Sequence, residues 1–122
     1  MKYINKKLSI ENVKVQNIAK KFGTPAYCYS YNQLKENINN FKRSFKSFSP
    51  LICFAIKSNT NVNLISEIRK LGLGADVVSM GELMKALKAG IKPNKIVFSG
   101  VGKTVEEIKY AINKKILLIN AE

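Results

Sequence analysis

From residue 49 onward, short apolar runs and amphipathic stretches alternate at a nearly fixed interval, and this rhythm limits the possible folds more than any other feature of the chain. Residues 51–56 form a continuous apolar run, the pattern of a strand buried on both faces. Val62, Leu64, Ile65, Ile68 and Leu71 follow at helical spacing and stop at Gly72. Ala75, Asp76, Val77 and Val78 read as the next strand. Ser79 and Glu82 have capping-box spacing and open a helix that carries Leu83, Ala86 and Leu87 and ends at Gly90. Ile96, Val97 and Phe98 form a third strand. Thr104 and Glu107 repeat the capping box ahead of Ile108, Ala111 and Ile112, and residues 116–119 form a fourth strand.

Successive strands begin about 20–25 residues apart with a helix between them, which is the rhythm of a parallel sheet built from βαβ units. Such a sheet closes as a (β/α)8 barrel or stays open and doubly wound. Four units at this spacing make half a barrel, and a whole one needs roughly 250 residues. The expected fold class is therefore α/β, the N-terminal half of a (β/α)8 barrel, with the 122-residue chain cut short.

The region before this rhythm is less regular. The first twenty-odd residues are polar with weak alternation and end in the turn signal Phe22-Gly23-Thr24-Pro25. Residues 26–30, rich in aromatics, read as a short strand. Leu34, Ile38, Phe41 and Phe45 then fall on one helical stripe, with Lys35, Lys42, Arg43 and Lys46 largely off it. At that spacing, beside Leu and Ile, the two Phe read as a core face rather than as stacking platforms for bases.

Composition removes several function classes. Lys and Arg number 21 against 8 Asp and Glu, a formal charge of +13. Arg43 and Arg69 are the only arginines, and the lysines are spread from Lys2 to Lys115. Nucleic-acid binders gather basic residues on one face and favour Arg forks, so this charge reads as solvated surface and no nucleic-acid partner is expected. With 46% hydrophobic residues the chain is not a disordered one. No apolar run approaches the ~20 residues of a membrane span, so no membrane partner is expected either. Without His, and with Cys28 and Cys53 as the only thiols, the common zinc patterns are excluded. Those two cysteines, far apart with no signal peptide before them, suggest a reducing cytoplasm, and each reads as a small buried hydrophobe without a redox role.

Candidate chemistry gathers at the strand ends. Gly100, Gly102, Lys103 and Thr104 evoke a phosphate loop, but the P-loop pattern needs Gly where Val97 stands, and the dinucleotide fingerprint needs Gly at Val105. Lys57 ends the most apolar run, and the C-terminal end of a barrel strand points into the mouth where active sites sit. Schiff-base chemistry with a carbonyl requires a neutral amine, which low-dielectric surroundings favour. A strand-ending Lys that snorkels to solvent is the other reading of the same residue. Asp76, the only Asp in the chain, ends the second strand on the same rim; it could orient that Lys or be an ordinary acidic loop residue. Glu82 and Glu107 are better explained as capping partners than as catalysts.

These residues also carry a resemblance. Phe54-Ala55-Ile56-Lys57-Ser58-Asn59 closely resembles the F/Y-A-V/I-K-A-N segment of the fold-type III, pyridoxal-phosphate-dependent decarboxylases. Residues 73–83 are similar to that family's G-x-D-V/C-x-S-x-G-E-L segment, with Met80 where Gly is frequent. Residues 96–104 resemble the I-x-F-S-G-x-G-K run that marks its diaminopimelate branch, which the ornithine and arginine branches lack. Gly23-Thr24-Pro25 with its aromatic sequel is similar to the G-T-P-L-Y-V-Y-D opening, and residues 119–122 to the N-x-E-S end of the fourth strand.

The resemblance implies an alanine-racemase-like barrel holding pyridoxal 5′-phosphate, with Lys57 forming the Schiff base and Asp76 beside it in the cofactor site. It implies the decarboxylation of meso-diaminopimelate to L-lysine. Residues 1–30 would contribute to the family's β-domain and residues 31–122 would form the first half of the barrel. The family's late Gly-rich loop, its Arg-containing segment, its pyridine-nitrogen carboxylate and its ring-stacking His would then come from elsewhere. The resemblance also implies a family homodimer, with a complementary chain carrying the other half to supply them. Another decarboxylase or racemase of the same fold type, or a non-catalytic remnant, are the alternatives to be separated.

Overall fold

The computed structural model describes residues 1–45 and 47–121, so Lys46, expected on the polar side of its helix, and Glu122, the last residue of the fourth-strand motif, lie outside the described residues. The chain divides into two compact units, Met1–Ser47 and Phe48–Glu122.

In the first unit, β1 (Lys2–Ile4), β2 (Lys7–Ile10) and β3 (Val13–Lys14) form an antiparallel sheet in that order. The β1–β2 turn is Asn5-Lys6, with φ of 49° and 61°, the left-handed pair that a two-residue hairpin requires. Helix α1 (Val15–Phe22) closes at Gly23, whose φ is 81°. Helix α2 (Tyr31–Arg43) starts at Ser30, whose hydroxyl accepts from the Gln33 N–H at 3.1 Å. The Glu11 carboxylate accepts from both the Ser30 hydroxyl and the Asn32 N–H, each at 2.8 Å. These bonds hold it below the usual glutamate range, the Asn32 N–H contributing most.

Two expectations fail in this unit. Residues 26–30 form no strand among the described residues: the segment has no ladder partner, and Tyr27 is 92% exposed. The stripe of α2 is only half covered. Leu34 and Ile38 are half-buried, whereas Phe41 is 53% exposed and meets Phe45 with ring centroids 5.1 Å apart. The apolar period identified the helix, but α2 ends at Arg43, so Phe45, the last residue of the expected stripe, lies past it, and no element of this unit covers the C-terminal half of the stripe.

The second unit follows the expected rhythm: β4 (Cys53–Ala55), α3 (Val62–Lys70), β5 (Gly74–Val77), α4 (Met80–Lys88), β6 (Ile96–Phe98), α5 (Val105–Asn113) and β7 (Leu118–Ile119). The four strands are parallel and ordered β4-β5-β6-β7. Each register partner lies 21 residues further along the chain, in the pairs Cys53–Gly74, Ala75–Ile96 and Val97–Leu118. At Gly74 this register brings the Lys95 carbonyl so close that a β-carbon would sit 2.2 Å from its oxygen, so only glycine fits.

Strand alternation divides the sheet into two unlike faces. On one face Ala75, Val77, Ile96 and Phe98 are fully buried and form a single core with Ile65 of α3, Leu83 and Ala86 of α4, and Ala111 of α5. On the other face Cys53, Ala55, Asp76 and Val97 are half-buried and Leu118 is 51% exposed. A doubly wound sheet reverses its strand order and covers both faces. Strands in sequential order with their helix core on one face instead form the wall of a (β/α)8 barrel, whose interior face is the open one. No helix among the described residues is long and apolar enough to cross a membrane.

Candidate functional site at the strand C-termini

The C-terminal ends of the parallel strands share one rim. Strand β4 ends at Ala55 and turns into a single 3-10 turn, Ile56–Ser58, so the apolar run read as a six-residue strand is strand only in its middle. Lys57 sits in that turn. Its neighbour Ile56 is fully buried and anchors the turn in the helix-side core, while Lys57 itself is exposed and makes no ion pair among the described residues. The apolar enclosure expected around this amine is therefore not provided by the described residues. Ser58 donates to the Ala55 carbonyl at 2.7 Å and closes the turn.

Asp76 lies in β5 beside Ala55, in register with it, on the open face. Its Oδ1 accepts from the Ser99 hydroxyl at 2.7 Å, and the Ser99 oxygen accepts from the Asn120 amide nitrogen at 2.9 Å. Ser99 and Asn120 each follow directly on a strand, β6 and β7. Their backbone N–H groups continue the ladder, to the Val77 carbonyl at 2.8 Å and the Phe98 carbonyl at 2.9 Å. Asp76 and Lys57 thus occupy adjacent strand ends without a direct bond. Sequence reasoning identified both but missed Ser99 and Asn120, whose signal was a polar residue standing immediately after each apolar run.

Cys53 faces the same side, half-buried, and burial followed by the charge of Asp76 pushes its thiol up. That is the behaviour of an inert thiol. Cys28, expected to be buried, is exposed instead, because the strand proposed to bury it does not form.

The two capping motifs differ. Thr104 and Glu107 form the full box at α5. At α4, Ser79 accepts from the Glu82 N–H at 3.2 Å, but Glu82 turns back to the Val78 N–H at 2.9 Å, one residue ahead of the cap. Glu107 also reaches the neighbouring helix and accepts from the Met80 N–H at 2.8 Å. Its carboxylate therefore closes the first turns of two adjacent helices, and the Thr104 and Met80 N–H groups, in that order, hold it below the usual range. Both acids are occupied in building the rim. In the Gly100–Thr104 loop, Lys103 donates to the Gly100 carbonyl and lies 6.0 Å from the Phe98 ring centroid, engaged with its own loop rather than presented as a phosphate ligand.

Comparison with known proteins agrees with this geometry. Residues 31–122 match the family described as pyridoxal-dependent decarboxylase, pyridoxal binding domain. A diaminopimelate decarboxylase of Helicobacter pylori strain J99 is 50% identical over 101 residues, covering 83% of this chain and 25% of that protein. One of Aquifex aeolicus is 44% identical over 122 residues, covering all of this chain and 29% of that protein. The crystal structure of a diaminopimelate decarboxylase from M. jannaschii in co-complex with L-lysine superposes with a TM-score of 0.93 at 36% identity, covering 98% of this chain and 29% of that one. The chain thus spans between a quarter and three-tenths of the length of these relatives. With its matched segment and its singly wound parallel sheet, the chain belongs to the pyridoxal-dependent decarboxylases, residues 31–122 matching their pyridoxal binding domain.

Proposed function

We propose that this chain provides the cofactor-bearing lysine of an enzyme that decarboxylates meso-diaminopimelate to L-lysine, the last step of lysine biosynthesis, in the cytoplasm. The observation that carries the reading is Lys57, a primary amine without an ion partner among the described residues, in the turn that follows β4 on the rim that it shares with Asp76. These residues fit the aldehyde end of pyridoxal 5′-phosphate: condensation needs an accessible amine, and Asp76 is a hydrogen-bonded carboxylate on the adjacent strand end. When bound, the cofactor supplies a carbonyl for amines and a ring that accepts the electron pair left as CO2 departs.

The chain's own residues do the rest of the positioning. Lys57 would hold the cofactor through its amine, and Asp76 on the adjacent strand end would orient that amine. The loop after β6 forms part of the rim. Residues 1–30 contribute to the family's β-domain and residues 31–122 to the first half of the barrel. A complementary chain carrying the other barrel half supplies the groups that these residues lack, within a homodimeric assembly of the family type.

Two measurements test this. The protein is incubated with pyridoxal phosphate, reduced with borohydride and mapped by mass spectrometry. A pyridoxyl group concentrated on Lys57, and lost in Lys57→Ala, is expected; a label spread evenly over the surface lysines sinks the assignment. With the remaining barrel half supplied in trans, L-lysine should form from meso-diaminopimelate. Turnover of ornithine or arginine in its place would move the chain to another branch.

A further inference from the structure

The geometry points to Ser99 and Asn120 as positioning residues that hold the Asp76 carboxylate in one orientation on the open face, and through it set the reactivity of the Lys57 amine. The inference rests on the reading of Lys57 as the cofactor-bearing amine and extends it to two residues of other strands.

The polarity of the bonds makes the argument. A serine hydroxyl has one proton. The 2.7 Å contact to Asp76 Oδ1 uses it, because a carboxylate only accepts. Ser99 then offers only lone pairs to Asn120, which fixes the amide so that its nitrogen faces the hydroxyl at 2.9 Å. The chain of donation therefore runs one way, from Asn120 to Ser99 to Asp76. It crosses three adjacent strand ends, spanning 21 residues of sequence at its first step and 23 at its second.

The backbone makes the chain stiff. Register pairs Asp76 with Val97, and Val97 with Leu118. Ser99 and Asn120 stand two residues beyond those partners, so all three side chains project to the same open face. Their backbone N–H groups bond to the Val77 and Phe98 carbonyls, which fastens both residues to the sheet although they lie past its strands. Asp76 has Ala55 on its other side, and Lys57 follows Ala55 by two residues. One oxygen of Asp76 is thereby committed to Ser99 on one side, and the strand neighbour on the other side is the one that leads to Lys57. Nothing in the helix-side core depends on this chain of bonds, because Ile56, Val77 and Phe98 are buried on the opposite face.

The test uses the protein with a limiting amount of pyridoxal phosphate, borohydride trapping, and the fraction of label on Lys57 relative to all other lysines as the readout. Losing a hydrogen bond to a charged acceptor at a half-exposed site should lower the Lys57 share about three- to tenfold in Ser99→Ala. Ser99→Thr, which keeps the hydroxyl, should recover it to within about twofold. Asn120→Asp preserves shape while replacing the donor with an acceptor, so it should lower the share without affecting folding, as monitored by circular dichroism. A wild-type protein that labels Lys57 preferentially, with Ser99→Ala and Asn120→Asp unchanged from it, overturns the positioning role and leaves the lysine assignment standing. A wild-type protein with no preference for Lys57 overturns both.

Discussion

Replacing Gly74 with alanine should be among the most damaging single-methyl changes in the chain. The added β-carbon would lie 2.2 Å from the Lys95 carbonyl oxygen, 3.2 Å from its carbon and 3.0 Å from the Cys53 sulfur. Side-chain β-carbons do not approach heavy atoms closer than 3.0 Å, so β5 and the start of β6 must separate by about 0.8 Å. The obstructing atom is backbone and cannot rotate away. Overpacking that side chains absorb costs about 1–3 kcal/mol, and here the upper end, about 3 kcal/mol, is expected. For a unit of this size that is a fall in Tm of roughly 12–24 °C.

The same displacement has a functional signature. Asp76 is two residues beyond Gly74, and a shift of that size would stretch its bond to Ser99 to about 3.5 Å, the limit of a hydrogen bond. The Lys57 share of trapped cofactor should then fall as it does in Ser99→Ala. Thermal and urea unfolding followed by circular dichroism measure the first effect. Gly102→Ala is the control, since a β-carbon there meets nothing within 4 Å, and it should stay within about 0.5 kcal/mol. A loss below about 1 kcal/mol in Gly74→Ala, or an equal loss in both variants, would refute the close-approach argument.

Thr104→Ala removes half of the capping box at α5 and should cost about 1 kcal/mol in urea unfolding. Glu107→Gln should show a pH signature. Because the folded carboxyl lies below its ordinary value of 4.5, its contribution is complete above that value and is lost as pH falls through the lowered one. The Tm gap between wild type and variant should therefore be constant near neutrality and close below about pH 4.5; a gap that widens in acid would reverse the assigned sign. Phe98→Ala, at a fully buried core position, should cost about 3–5 kcal/mol. Iodoacetamide followed by peptide mapping should modify exposed Cys28 well before Cys53, and equal rates would contradict the burial of Cys53.

The second unit was legible because its signals are local. Ile96, Val97 and Phe98 form a strand as read, and the helices after Asn61, Ser79 and Thr104 begin where the side-chain caps stand. The first unit was less so. The Asn5-Lys6 turn needs two positive φ values but lacks the glycine that usually announces them, and the eight residues of α1 lie in a stretch that showed only polar residues with weak alternation. Residues 26–30 have strand composition, but a strand exists only where another pairs with it, and composition carries no information about partners. At the site, Lys57 and Asp76 stood out by residue type and position. Ser99 and Asn120 acquire their roles from contacts more than twenty residues away, as does Glu107 through its bond to Met80.

The constant 21-residue offset between paired strands bears on how the sheet assembles. Every neighbour in β4-β5-β6-β7 is also the next strand in the chain, so each pairing closes an excursion of the same length. The length-dependent part of that closure entropy is about 2.7 kcal/mol each time and does not grow with the number of strands already in place. Assembly can therefore proceed one βα step at a time, in the order of synthesis. No step waits for a distant segment, because each strand forms its ladder on an edge that the preceding step has already built.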